Sequence, residues 1–404
     1  MTAPWLTLLG VGDDGPGGLR PAARALLDTA EVVIGGDRHL AHLPEAGGRT
    51  KLAWPSPMTG GLDAVLARRG QNVCVLASGD PLWCGAGAWL RRHLPAEEMR
   101  VIPHVSAFQL AAARLGWPLA ETRTRSLHGR PVATVVPALH PGAKLLLLGD
   151  GGTARELAEL LTRRGFGGSR LWVLAHLDGA DERVETALAR AWTVETPALT
   201  TVAVHVAADA GAAVVPETPG LPDTAFRHDG QLTKREVRAV TLAALQPMPG
   251  QHLWDVGAGT GSVAIEWLRG AARTSAVAVE HRADRAGLAA ENASALGVPD
   301  LQVRTQSAPD ALDTLAAPDA VFLGGGVTDG TLDPAWRALR PGGRLVANTV
   351  TVEGEQALLA WQAAHGGELV RLTVEHLEPL GGYRGWRAQR PVTQLRAVKA
   401  GAGA

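Results

Sequence analysis

Cysteine is nearly absent, with Cys74 and Cys84 the two in 404 residues. Two thiols make neither a disulfide framework nor a cysteine-based zinc site. Lysine is almost as scarce: of 39 basic residues, four are lysines, Lys51, Lys144, Lys234 and Lys399. GC-rich coding accounts for this alongside the heavy Ala and Gly usage, and forked guanidiniums also suit a carboxylate-rich ligand. Excess charge is missing too. Forty acids offset the bases and leave a net charge of −1, which excludes bulk attraction to nucleic acid or to an anionic membrane. No window nears the roughly 18 uncharged apolar residues of a membrane helix. The start, MTAPWLTLLG, lacks a basic leader and reads as a first strand. A cytoplasmic location follows as an expectation, with no membrane or nucleic-acid partner. No metal cluster or catalytic triad is evident, so no metal is expected.

What is present is a chain long enough for two domains. Short apolar runs at Trp5–Val11, Glu31–Ile34, Val73–Ala77, Met99–Ile102, Lys144–Leu148, Leu171–Leu174 and Thr201–Val206 predict strands. Helix-period segments lie between them, at Leu19–Thr29, Gly61–Arg69, Ala86–Leu94, Ser106–Leu115 and Ala154–Arg164. The pattern predicts an α/β fold with glycine-rich loops after strands. It breaks at ADAGAAVVPETPGLPD, which has three prolines and no period. The expected domains are therefore 1–208 and 223–404, with 209–222 as linker. Beyond the linker, helix Thr233–Leu245, strand His252–Val256, helix Ser262–Leu268, strand Ala276–Glu280 and helix Arg282–Leu296 follow in turn. Strands at Gln302–Thr305, Ala320–Leu323, Leu369–Val374 and Thr393–Val398 complete a doubly wound sheet.

The stretch LWDVGAGTGSVAIEW sets Gly257, Gly259 and Gly261 between a strand and a helix. Missing side chains let a ligand approach the backbone, and the helix start offers free N–H groups. The spacing is tighter than the GxGxxG of dinucleotide folds. Glu280 closes the next strand, 19 residues past Gly261, where a carboxylate can accept both hydroxyls of a ribose. Asp255 would bond an ammonium or order the loop. PGG at 341–343 precedes another strand.

This half, over 221–399, resembles the class I S-adenosylmethionine-dependent methyltransferases. GLPDTAFRHDGQLTKREVRAV, DVGAGTGSVAIE, AVAVEHRAD, SAPDAL, FLGGG and PGGRLVANTV narrow the likeness to the C-terminal module of cobalamin biosynthesis. That module methylates a corrin precursor at carbon 15 and removes carbon dioxide from the carbon 12 acetate. The resemblance implies a cofactor pocket lined by Thr233, Gly257, Ala258, Gly259, Thr260, Gly261, Glu280 and Ala308, with the Gly324, Gly325 and Gly326 loop facing the macrocycle. Ala258 replaces the small Cys or Gly common in that family.

A second glycine cluster stands at the start. LLGVGDDGPGGL, VLASGDPLWCGAG and VIPHVSAFQLAAARLGWP each follow an expected strand, so three loops should share one sheet edge. This half, about 5–206, resembles the tetrapyrrole methylases, a fold of two α/β subdomains. GGDRHLAHL and SLHGRP match the branch acting at carbon 5 of the corrin precursor. The likeness implies a cofactor between the subdomains, held by Gly79, Asp80, Ser106 and Ala107. His104 stands where that family often has glycine, and would be either a tolerated surface histidine or a group that meets substrate. Asp13 and Asp14 lengthen the first loop, as a solvated turn or as a polar lip over the substrate.

Two resemblances to methyl-transferring families imply one S-adenosylmethionine per domain and two methylations of one polycarboxylate tetrapyrrole. Alternative substrates within the same folds are another tetrapyrrole or RNA. Attack by an electron-rich ring carbon needs no strong base, and the catalytic residues stay unassigned. His228, Asp229 and Tyr383 are candidates for the acid that decarboxylation requires. Each has a structural reading beside it, since polar groups near helix caps commonly bond backbone. Arg227, Arg235, Arg384 and Arg387 are candidates for pairing with substrate carboxylates, against the default of solvated surface charges. A homo-oligomer is expected from the resembled modules.

Overall fold

The computed structural model describes residues 4–44, 48–55, 58–198 and 200–401. Contacts divide the chain into two units, one of Met1–Val132 with His140–Ala213, the other of Ala133–Leu139 with Val214–Ala404. In the first unit, β1 (Leu6–Val11), β2 (Val32–Gly35), β3 (Thr50–Ala53), β4 (Val73–Ser78) and β5 (Met99–Ile102) form a parallel sheet in the order β3-β2-β4-β1-β5. β1 is buried throughout, as a parallel strand covered on both faces must be. Because β4, β1 and β5 are neighbours running the same way, loops 10–12, 79–80 and 103–106 leave from one edge. The unit's other sheet holds β6 (Thr122–Ser126), β7 (Lys144–Gly149), β8 (Arg170–Ala175), β9 (Arg183–Leu188) and β10 (Thr200–His205), ordered β6-β7-β10-β8-β9. Here β6 and β7 pair in parallel and the remaining pairs are antiparallel.

The second unit is built on β11 (His252–Val256), β12 (Ser275–Val279), β13 (Gln302–Arg304), β14 (Ala320–Leu323), β15 (Arg344–Thr349), β16 (Glu368–Leu372) and β19 (Val392–Val398), ordered β13-β12-β11-β14-β15-β19-β16. A separate hairpin pairs β17 (Glu375–Leu380) with β18 (Tyr383–Ala388). The chain runs from β11 outward to β13, then returns to β14 on the other side. That reversal opens a crevice at the carboxyl ends of β11 and β14, where open α/β sheets take their ligands. Alternate side chains of β11 serve opposite cores. Leu253 packs with Leu242, Ile265 and Trp267, and Trp254 with Leu332, Leu358 and Trp361.

Within the large sheets, three strands escape the apolar-run reading: β3, β6 and β9. All are sheet edges, and their burial is patchy. An edge strand has one paired side and carries polar residues that blunt it. The hairpin is likewise mostly exposed. Helices are shorter than the periodicity suggests. The Gly61–Arg69 expectation becomes Leu62–Leu66, and Ala86–Leu94 becomes Ala86–Leu90.

The 209–222 stretch is pinned near both ends. Asp209 accepts from the Gly167 and Gly168 amides at 3.0 and 3.2 Å. Gly220 and Leu221 amides donate to the Glu266 carboxylate at 2.6 and 3.0 Å. Glu266 in turn accepts from Arg238 Nε at 2.6 Å. Arg238 is wholly buried and Glu266 is 2% exposed. The guanidinium also donates to the carbonyls of Leu221 and Thr233 and to Asp223, and lies 4.7 Å from the Phe226 ring centre. One buried ion pair therefore fixes the path of 220–233 across the helices Arg235–Leu245 and Ser262–Gly270. Removing one member of such a pair leaves an uncompensated charge, at a cost of about 3–5 kcal/mol. Arg238→Ala should lower stability by that amount in urea unfolding. A loss below about 1 kcal/mol would show that the segment is held by other contacts.

Candidate functional site

The crevice of the second unit is floored by the glycine turn after β11. Gly257, Gly259 and Gly261 have φ of 69°, 56° and 74°, a region costly for residues with a Cβ. A Cβ at Gly257 would lie 2.7 Å from the Gly325 nitrogen and 2.8 Å from its Cα. The turn after β11 and the Gly324–Gly326 loop after β14 thus meet backbone to backbone, with Gly324 N donating to Val256 O at 2.9 Å. The tight spacing exists because side chains would separate these loops.

Glu280, 3% exposed, stands across the turn. Its Oε2 accepts from Gly259 N at 2.8 Å and its Oε1 from Arg282 N at 2.9 Å. His281 Nδ1 lies 3.1 Å from the same Oε1. Oε2, with one donor, keeps a lone pair for another. Two polar atoms beneath the turn are buried with no partner among the described residues: Asp255 Oδ1 and Thr260 Oγ1. Such orphans are rare in folded proteins and call for a ligand or water. Asp255 Oδ2 accepts from Ala264 N at 2.9 Å. Burial pushes its carboxyl up to about 7; the Ala264 bond opposes this and the nearby Glu280 charge adds to it.

Asn292 draws a further segment to the turn. Its side chain donates to Thr260 O at 3.1 Å and Arg227 O at 2.9 Å, and accepts from Arg227 N at 2.8 Å. Thr233 is half-buried and tied through its carbonyl to Arg238. Ala258 packs against the core beneath the turn. Ala308 packs against the opposite core, beside Trp254 and Leu312, and no hydrogen bond joins it to the turn among the described residues. The donor set of backbone amides, buried carboxylate and orphaned oxygens fits a nucleoside bearing hydroxyls and an ammonium.

The acid and arginine candidates stand differently. His228 Nδ1 accepts from Gly230 N at 3.1 Å, and Asp229 accepts from Gln231 N and Arg285 at 3.0 and 2.9 Å. The Gln231 amide, then Arg285, hold the Asp229 carboxyl below its usual range, so it is a poor proton donor. Both residues therefore order a turn. Tyr383 is 85% exposed on the hairpin. Arg227 pairs with Glu291 and Arg387 with Glu378, while Arg235 donates to Gly220 O. Arg384 has no ion pair among the described residues.

At the edge of the first unit the loops also touch through glycines. A Cβ at Gly10 would lie 2.0 Å from Gly79 O and 2.6 Å from His104 N. Gly79, at φ 60°, leaves no room for a Cβ against Ser106 Cα, which would be 2.8 Å away. Asp80 caps its own turn by accepting from Leu82 N at 2.8 Å. Ser106 caps the helix Ala107–Leu115 in a reciprocal box with Gln109. His104 is half-buried with its ring against Gly12. Asp14 is exposed, whereas Asp13 is paired, and so not part of a solvated turn: its side chain is 14% exposed and bonded to Arg38 and His176. That pairing reaches a different sheet of the unit, which no local pattern announces.

Two family models match, the precorrin methyltransferase domain over residues 224–399 and the tetrapyrrole (corrin/porphyrin) methylases over residues 6–191. The chain is 46% identical over 402 residues to the precorrin-6Y C(5,15)-methyltransferase (decarboxylating) of Sinorhizobium sp, covering 99% of this chain and 97% of that one. It is 35% identical over 180 residues to the cobalt-precorrin-7 C(5)-methyltransferase of Salmonella typhimurium, covering 44% of this chain and 88% of the relative. It is 34% identical over 173 residues to the cobalt-precorrin-6B C(15)-methyltransferase (decarboxylating) of the same organism, covering 42% and 89%. The two module types read from the motifs are those the two family models describe.

Asp255 generates a pH test. Its folded value, about 7, lies above its ordinary value of 3.8. A carboxyl raised on folding contributes most below its unfolded value, and that contribution is lost as pH rises toward 7. Asp255→Asn should match the parent at pH 4 and exceed its stability at pH 8 by on the order of 2–4 kcal/mol, in the donor-free chain. An equal difference at both pH values, in paired urea melts, would refute the assignment.

Proposed function

The chain belongs to the precorrin-6Y C(5,15)-methyltransferases (decarboxylating), and from that premise we propose how its two modules divide the reaction. S-adenosylmethionine is the methyl donor. The C-terminal module, 223–404, methylates carbon 15 and releases carbon dioxide from the carbon 12 acetate. The N-terminal module, 1–208, methylates carbon 5, and 209–222 joins them. The product of both steps is precorrin-8. One donor site serves each module: Thr233, Gly257–Gly261, Glu280 and Ala308 in one, and Gly79, Asp80, Ser106 and Ala107 in the other. Gly324–Gly326 face the macrocycle. The single observation that carries this reading is the pair of glycine-lined edges, each at the ends of parallel strands of a separate sheet.

Bound there, the donor would supply an electrophilic methyl group. The chain's own part is binding and alignment, which alone can lower a barrier by about 7–11 kcal/mol. Glu280 would hold ribose hydroxyls while keeping the turn folded through Gly259. Asp255 Oδ1 and Thr260 Oγ1 would gain the partners they lack. Neutral net charge and the absence of a basic stripe favour a tetrapyrrole over RNA. Cytoplasmic location remains part of this reading.

Association into a homo-oligomer is proposed through the β17–β18 hairpin. Leu377 faces Trp386 across the ribbon and Leu380 faces Tyr383. Alternation puts the two pairs on opposite faces. All four are exposed, between 48% and 85%. A two-stranded ribbon is marginal alone, and both of its exposed apolar pairs would be buried by a partner. A second copy of the hairpin satisfies both needs. In light scattering after size exclusion, the parent should be a multimer and Leu377→Ser with Trp386→Ser should shift it toward monomer. A monomeric parent would end the proposal.

Calorimetry with S-adenosylhomocysteine should find two equivalents per chain. Mass spectrometry of the corrin precursor with enzyme and donor should find two methyls gained and carbon dioxide lost. Glu280→Ala should abolish one binding equivalent and the carbon 15 methyl while leaving the carbon 5 methyl largely intact. One equivalent in the parent, or loss of both methyls in the variant, would contradict separate sites.

A further inference from the structure

Segments following β1, β2 and β8 of the first unit meet at Asp13. It lies in the loop after β1. Its Oδ1 bonds to Arg38, from the helix Asp37–Ala41 after β2, and its Oδ2 lies 3.1 Å from His176 Nδ1, in the loop after β8. Arg38 also donates to Ser78 Oγ, at the end of β4, at 3.1 Å. Ser78 Oγ is 3.2 Å from His39 Nε2. His39 is buried, and burial, then the Arg38 and His42 charges, hold it down at about 4 despite Asp13, so its ring is neutral.

The His176 loop is strained and braced. His176 and Asp178 have φ of 50° and 67°, two of the five non-glycine residues with positive φ among the described residues; Cys84, in the loop after β4, is a third. Residues held in this sparsely populated region cluster at working sites. Glu182 holds the strained turn, accepting from Asp178 N at 2.6 Å and from Arg114 through two bonds of 2.5 and 2.9 Å. Gly179 lets the turn close on Asp13: a Cβ there would be 2.6 Å from Asp13 Oδ2. His176 is 34% exposed, and its Nε2 has no hydrogen bond among the described residues.

We infer that His176 is the proton acceptor for the carbon 5 methylation, positioned by Asp13. The inference rests on the assignment of that reaction to the N-terminal module. A methyl group delivered from a sulfonium leaves a neutral thioether, and its positive charge passes to the acceptor ring. The ring carbon forms a C–C bond with an electron pair from the conjugated system. Neutrality returns when a C–H bond of the ring breaks, its pair re-enters the system, and the proton goes to His176 Nε2 and then to water. Asp13 fixes the tautomer with the proton on Nδ1, which leaves Nε2 as acceptor. The charged groups facing His176 are Asp13 and, through it, Arg38; those of its own turn are Asp178 and Glu182, both paired with Arg114 of the helix Ala107–Leu115.

Two measurements test this. Nitrogen-15 NMR of the donor-free full-length chain should show His176 protonated on Nδ1, with that preference lost in Asp13→Asn. A proton on Nε2 in the parent would overturn the assignment. With corrin precursor and donor, His176→Gln should slow the carbon 5 methyl about 10²–10⁴-fold. Carbon dioxide release and the carbon 15 methyl serve as internal reference and should match the parent. The acidic limb of the carbon 5 pH profile should vanish, and added imidazole should restore rate to His176→Gly. An unchanged carbon 5 rate and profile in His176→Gln, with an active parent, would sink the base assignment alone. A parent that adds no carbon 5 methyl would sink the proposed function and the base together.

Discussion

Backbone must meet backbone at both sheet edges, and the rest of the architecture is arranged around that contact. In the second unit the approach is Gly257 against Gly325; in the first it is Gly10 against Gly79. An added Cβ would stand 2.0–2.7 Å from main-chain atoms in these cases, and main chain cannot swing away as a side-chain tip can. The loops are thereby held in tight turns, with Gly257 and Gly79 in the left-handed region. The parallel strands beneath supply the rigidity. β1, β11 and β14 are buried almost completely, so the edge they present does not shift with solvent.

The features that build this contact are the ones a sequence displays. Glycine clusters after apolar runs located both edges, and Glu280 was placed by its distance from Gly261. What stayed hidden depends on residues far apart in the chain. Arg238 reads as one more basic residue in an amphipathic helix, yet it is wholly buried against Glu266, 28 positions away. Asn292 reads as a helix interior residue, yet it ties Arg227 to Thr260. Asp13 reads as a loop acid, and its partner His176 is 163 positions on. Edge strands β3, β6 and β9 were missed for the opposite reason: their neighbours ask little of their side chains, so no period is imposed.

The electrostatics of the two edges share a logic. Beneath the second unit's turn, burial raises the Asp255 carboxyl from 3.8 to about 7. Beside the first unit's loops, burial keeps His39 neutral next to Arg38. In both places burial disfavours the charged form of a titratable group. Fully charged partners would need solvation that these interiors do not supply.

Charge arithmetic then explains why the proposed base belongs to one module. Each methylation adds one positive charge to the acceptor. At carbon 15 that charge has its own compensation: when carbon dioxide departs from the acetate, the bonding pair it leaves behind enters the conjugated ring and cancels the charge. Protons are redistributed within the substrate, and none need leave it in net terms. At carbon 5 no group departs with its positive counterpart, so a proton must. The distribution of side chains follows this division. Around the second unit's crevice, His228 and Asp229 are spent on a turn and Tyr383 lies out on the hairpin, and the arithmetic asks for no net acceptor there. At the first unit's edge a histidine is oriented by a carboxylate on a strained, doubly braced turn. The module to which we assign the proton-shedding step is the one that holds an imidazole oriented by a carboxylate.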